Sequence, residues 1–185
     1  MPTDWIDLAW LAALAAMLAA ASWHDMIRAR IPNQVVLAGI FTAFLLAALP
    51  GGIGVVSAGS GLLVGLALLL PFYLLGVMGA GDVKLFAATG AFIGFPAVIG
   101  VALLTFLAGG VLSLALALRL RSVHSVLVNL RTGLLLGLAH LCTGSLPRKG
   151  DLPVTESRIP YGVAIAVGTA ASVVLSHEFS WMRIF

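Results

Sequence analysis

The chain has 185 residues, 61% of them hydrophobic and 9% charged, with a formal net charge of +3 and a mean hydropathy of +1.13. A soluble domain of this length carries about a quarter charged residues, so the composition excludes one and points to an all-α, polytopic membrane helix bundle, a single domain over 1–185. The basic excess does not indicate nucleic acid, because the ten Lys and Arg residues lie between apolar stretches and form no stripe interleaved with aromatics.

The first apolar run follows Asp4 and Asp7 instead of a basic segment, which predicts a retained span over 5–23 and argues against a signal peptide. Trp5 and Trp23 mark its ends as an interfacial belt does. A second span covers 34–49 and stops at Pro50-Gly51-Gly52, and a third covers 55–78. The run 85–118 is too long for one crossing, and Gly94-Phe95-Pro96 divides it into two, the first short. Residues 161–175 form the last, giving about six transmembrane helices.

With the N-terminus outside, nine of the ten basic residues fall in inner loops and only Arg183 lies outside, as the positive-inside rule requires. Residues 120–158 form a cytoplasmic or interfacial loop. Within it, 122–143 reads as a helix lying at the interface, with a seventh crossing as the alternative. Small residues recur at helix-packing intervals: Ala12, Ala16 and Ala20; Gly61 and Gly65; Ala164, Gly168 and Ser172. They predict packing faces and identify no function.

Of seven acidic residues, five belong to solvated flanks or loops. Asp25 and Asp82 remain, each at the end of an apolar span, where an acid is a functional candidate. Two crossings separate them, so both sit at one depth on one face. Paired carboxylates share a proton, and one can activate water while the other protonates a carbonyl oxygen or leaving group. Singly, each has a plainer explanation: Asp82 as a helix cap, Asp25 as a solvated helix end. Helix-end fields, worth about 0.3–1 kcal/mol, favour ionisation of Asp82 and retention of the proton on Asp25. The scattered histidines and the lone Cys142 imply no metal site.

Three segments then stand out. Gly79-Ala80-Gly81-Asp82-Val83-Lys84 resembles the GxGD motif of membrane-embedded aspartic proteases, in its type IV prepilin peptidase branch. His24-Asp25 through Arg28, followed by Ile31-Pro32-Asn33, resembles that family's first aspartate segment, and Arg158-Ile159-Pro160-Tyr161-Gly162 its third marker. The resemblance covers about residues 5–176.

It implies an aspartic endopeptidase in the bacterial inner membrane, with Asp25 and Asp82 catalytic at the cytoplasmic face. Its substrate would be a prepilin with a short leader, and no cofactor is implied. Gly79, Gly81, Lys84, Pro160, Tyr161 and Gly162 are the candidates for binding substrate or shaping the site. The two glycines are expected to permit positive φ and close backbone approach. Pro32 and Pro160 keep the adjoining helices out of the inner loops. Lys84 most simply snorkels to headgroups, with tuning of Asp82 or holding a substrate carbonyl as the alternative. His24 reads as an interfacial side chain.

Long members of that family carry a cysteine-paired, zinc-binding insert that accompanies N-methylation. Here the link after Asp25 is a few residues without cysteine, resembling the short, peptidase-only form of Flp or tight-adherence pili. The alternative is a proton- or cation-coupled transporter using the same paired acids, although no inverted repeat is visible.

Overall fold

The computed structural model describes residues 4–75, 78–119, 128, 132 and 161–178. Among them every regular element is an α-helix: α1 (Asp4–Arg28), α2 (Asn33–Ala48), α3 (Val55–Leu74), α4 (Ala80–Ile93), α5 (Ala97–Arg119) and α6 (Tyr161–Glu178). Trp5–Arg28, Val55–Leu74 and Ala97–Leu116 are long and apolar enough to cross a membrane, while Asn33–Ala48 and Tyr161–Leu175 are apolar but shorter. Phe41 and Val56 are 71% and 86% exposed. A protein folded in water would not display such residues so widely, whereas a lipid-facing surface favours them, so this is a membrane protein.

The helix ends follow from local chemistry. Pro32, extended at φ −65° and ψ 132°, opens α2. Leu49 is extended as the following Pro50 requires, and α2 stops before it. The long apolar run does divide in two. α4 ends against Gly94, whose φ of +78° suits glycine, and α5 resumes after a cis Phe95–Pro96 bond.

Two boundaries differ from those read in the sequence. α3 ends at Leu74, short of 78: Pro71 lies in its last turn, and the Met78 N–H turns back to the Phe72 carbonyl at 3.3 Å. α1 continues past Trp23 to Arg28, which puts His24 and Asp25 inside the helix.

α4 is the centre of the bundle. It packs against all five other helices, and Val83 together with every residue from 85 to 92 is buried. Its approach to α3 is backbone on backbone. A Cβ built on Gly61 would run into the Gly90 carbonyl oxygen, and one on Gly90 into that of Gly61. Trp10 of α1 donates its indole N–H to the Phe92 carbonyl at 2.8 Å, which satisfies a carbonyl in the last turn of α4.

The expected small-residue rows fare differently. Gly61 and Gly65 face α4, and Ala164, Gly168 and Ser172 are buried, with Gly168 against the Thr105 backbone of α5. Ala12 and Ala16 are exposed, because α1 packs through Leu14, Met17, Leu18 and Ala21 instead. Residues 122–143, expected at the interface, lie outside the described residues except for Val128 and Thr132, both helical and exposed.

Candidate active site

Asp25 and Asp82 line one cavity of about 270 Å³, together with Ala29, Arg30, Ile31, Asn33, Gly79, Ala80, Gly81 and Lys84. The sequence motifs around the two acids therefore converge, and Asp82 lies within electrostatic reach of Asp25. Both carboxylates are half-buried. Two such groups in one recess can share a proton, one acting as acceptor and the other as donor.

Asp82 stands three residues after Gly79, the N-cap of α4. Its Oδ2 accepts the Gly79 N–H at 3.2 Å, the carboxylate half of a capping box, which glycine has no side chain to reciprocate. Gly79 is extended at φ −76° and Gly81 is helical, so neither uses the positive φ expected of it. A Cβ on Gly81 would come within 3.2 Å of Ile31 Cβ, so the start of α4 packs closely on the segment that follows α1.

Asp25 is held from across the bundle. Its Oδ2 accepts the Gly162 N–H at 2.9 Å, at the opening of α6. Each carboxylate thus meets an amide at the start of a helix. The expected difference in helix-end field counted only the negative end of α1 at Asp25, and the start of α6 adds a favourable amide there.

Lys84 is exposed and donates to Asn33 Oδ1 at 3.2 Å, tying the start of α4 to the start of α2. Its contact is thus with Asn33 of the first aspartate segment. Tyr161 is half-buried, close enough to Asp82 to feel its charge, and its ring lies against Gly109 of α5. Pro160 lies outside the described residues.

His24 directs Nδ1 to the Ala20 carbonyl at 2.8 Å and lines a separate hollow with Trp23, Ile27 and Arg28, away from the two acids. Among the described residues no three His, Cys, Asp or Glu side chains converge. Sequence reasoning missed Ser22, whose hydroxyl donates to the Gly162 carbonyl at 3.2 Å. Its position three residues before Asp25, on the same helical face, was the available clue. Asn33 was visible only as part of its motif.

Residues 12–114 match the model of the type IV leader peptidase family. That stretch carries Asp25 and the segment from Gly79 to Lys84, and it ends before α6. No curated protein and no solved structure matches the chain.

Proposed function

Because the chain belongs to the type IV leader peptidase family, whose model covers more than half of it, we propose that it cleaves the leader from Flp-type prepilins as an aspartic endopeptidase. Asp25 and Asp82 are the catalytic pair. The observation that carries this reading is that the two acids, from helices far apart in the chain, line one cavity.

The chemistry follows from a shared proton. The ionised carboxylate removes a proton from water as its oxygen adds to the scissile carbonyl carbon, and the protonated carboxyl gives its proton to the carbonyl oxygen. The tetrahedral intermediate then collapses. The C–N bond breaks as the leaving nitrogen takes a proton, which yields a leader carboxylate and a free N-terminal amine. Co-expression with a candidate prepilin, followed by N-terminal sequencing of the product, tests the activity. An unprocessed precursor across the Flp-type pilins would overturn it.

The active site faces the cytoplasm of a bacterial inner membrane. What supports this is the distribution of basic residues, nine of which fall on the side of the acids. In a Cys142→Ser background, single cysteines replacing Ile27 and Ala80 should resist a membrane-impermeant thiol reagent applied from the periplasm. A cysteine replacing Gly52 should react. Periplasmic labelling at position 80 would reverse the topology.

The link between α1 and α2 is residues 29–32 and carries no cysteine. That favours a peptidase without N-methyltransferase activity. Mass spectrometry of a pilin matured by this protein alone should therefore show an unmodified N-terminal amine. A product heavier by one methyl group, in cells lacking other methyltransferases, would contradict it.

A further inference from the structure

Gly162 is the second residue of α6, where a backbone N–H has no carbonyl partner within the helix. That N–H goes to Asp25 Oδ2 at 2.9 Å, and the carbonyl of the same residue accepts the Ser22 hydroxyl at 3.2 Å. Ser22 and Asp25 share a face of α1, so they grip one residue of α6 by its donor and its acceptor together. Gly162 is buried, and the contact leaves no room for a side chain. A Cβ there would stand 2.9 Å from Asp25 Oδ2 and 3.2 Å from Asp25 Cβ. α6 is braced in turn on α5, with Tyr161 and Ala164 both against Gly109.

The two carboxylates are therefore fixed in different ways. Asp82 is held by the amide three residues away at the N-cap of its own helix, whereas the amide on Asp25 is 137 residues away. The orientation of Asp25 depends on where α6 sits, and α6 lies beyond the matched stretch. We infer that Gly162 is a positioning residue for Asp25: its N–H aims the carboxylate at the cavity shared with Asp82, and its lack of a side chain makes the space for it. The inference rests on the reading of Asp25 as catalytic.

The test uses the full-length protein in proteoliposomes with a purified prepilin, rates being expressed per folded molecule. Gly162→Ala should lower kcat about 10²-fold with KM unchanged, the scale of a misplaced reacting group. It should also displace the acid limb of the kcat–pH profile, whereas a mere loss of folded protein scales the whole curve. Ser22→Ala adds no bulk but loosens the same residue, so it should lower kcat a few-fold, by about three to ten times, and displace the same limb. Parental kcat in Gly162→Ala overturns the inference, as does a loss that leaves the shape of the profile intact. If Gly162→Ala does not fold, parental kcat and profile in Ser22→Ala overturn it instead. Asp25→Asn in the same assay separates the two layers. Cleavage by that variant removes the catalytic role of Asp25, while an inert Asp25→Asn beside a parental Gly162→Ala removes positioning alone.

Discussion

Asp25→Asn and Asp82→Asn should each lower prepilin cleavage by about 10⁴-fold, the upper end of what a positioned acid or base contributes. The size of the effect follows from the division of labour. One carboxyl must accept a proton from water while the other donates one, and an amide side chain does neither. Asparagine keeps the shape of aspartate and can still accept the Gly79 or Gly162 N–H through its carbonyl oxygen, so the surrounding contacts at 3.2 and 2.9 Å survive. Both variants should accordingly reach the membrane folded, with melting temperatures close to the parent. The double variant should be no worse than either single one, because groups that act as a unit are strongly non-additive. Cleavage at a tenth of the parental rate by either single variant would remove the paired mechanism. Inhibitors of serine, cysteine and metal-dependent proteases should leave the parent unaffected.

Gly61→Ala and Gly90→Ala should be among the most destabilising conservative changes in the bundle, by about 3 kcal/mol each, at the upper end for overpacking. At both positions the added methyl meets a backbone carbonyl on the facing helix, not a side chain that could swing away. α3 and α4 must then separate along their crossing, and the core around the buried Phe86 and Phe92 loosens. Gly100→Ala and Gly110→Ala are the controls. Nothing lies within 4 Å of a Cβ at either site, so the methyl should be neutral or stabilising by about 0.5–1 kcal/mol through helix propensity. Thermal unfolding in detergent, read by dispersity, measures all four. Equal melting temperatures for Gly90→Ala and Gly100→Ala would show that the crossing tolerates separation.

The bundle was legible because lipid-crossing helices need long apolar runs and because Pro50, Gly94 and Pro96 interrupt them. The convergence of the two acids was legible too, since two crossings return the chain to its starting face. The facing of each helix was not. In a membrane the outside of the bundle is as apolar as its core, so hydrophobicity does not mark the packed side. Ala12 and Ala16 therefore looked like a contact and are exposed, while the central place of α4 had no compositional sign. The bond from Gly162 to Asp25 was hidden for another reason. It joins residues at opposite ends of the chain, and no periodicity within α1 or α6 announces a partner across the bundle. Gly79 and Gly81 misled in a third way, for glycine suits tight packing as well as unusual dihedral angles, and neither residue adopts a positive φ.

A hydrolase set into an energised membrane must admit water without becoming a leak for protons. α4, at 14 residues, is about 21 Å long, roughly 9 Å less than the hydrocarbon layer. Of α4, Ala80, Gly81, Asp82 and Lys84 line the recess, and no residue beyond Lys84 does so. From Leu85 to Phe92 the helix is fully enclosed, and its one hydroxyl, Thr89 Oγ1, is spent on the Leu85 carbonyl. At the far end the Gly94 N–H occupies the Gly90 carbonyl and the Trp10 indole the Phe92 carbonyl, so two of the carbonyls of the last turn are held within the protein. Behind the recess, α4 continues as about two turns of enclosed packing. On the reading proposed above, of a peptidase in a bacterial inner membrane, that packing lets catalysis and an intact proton gradient coexist in the same few helices.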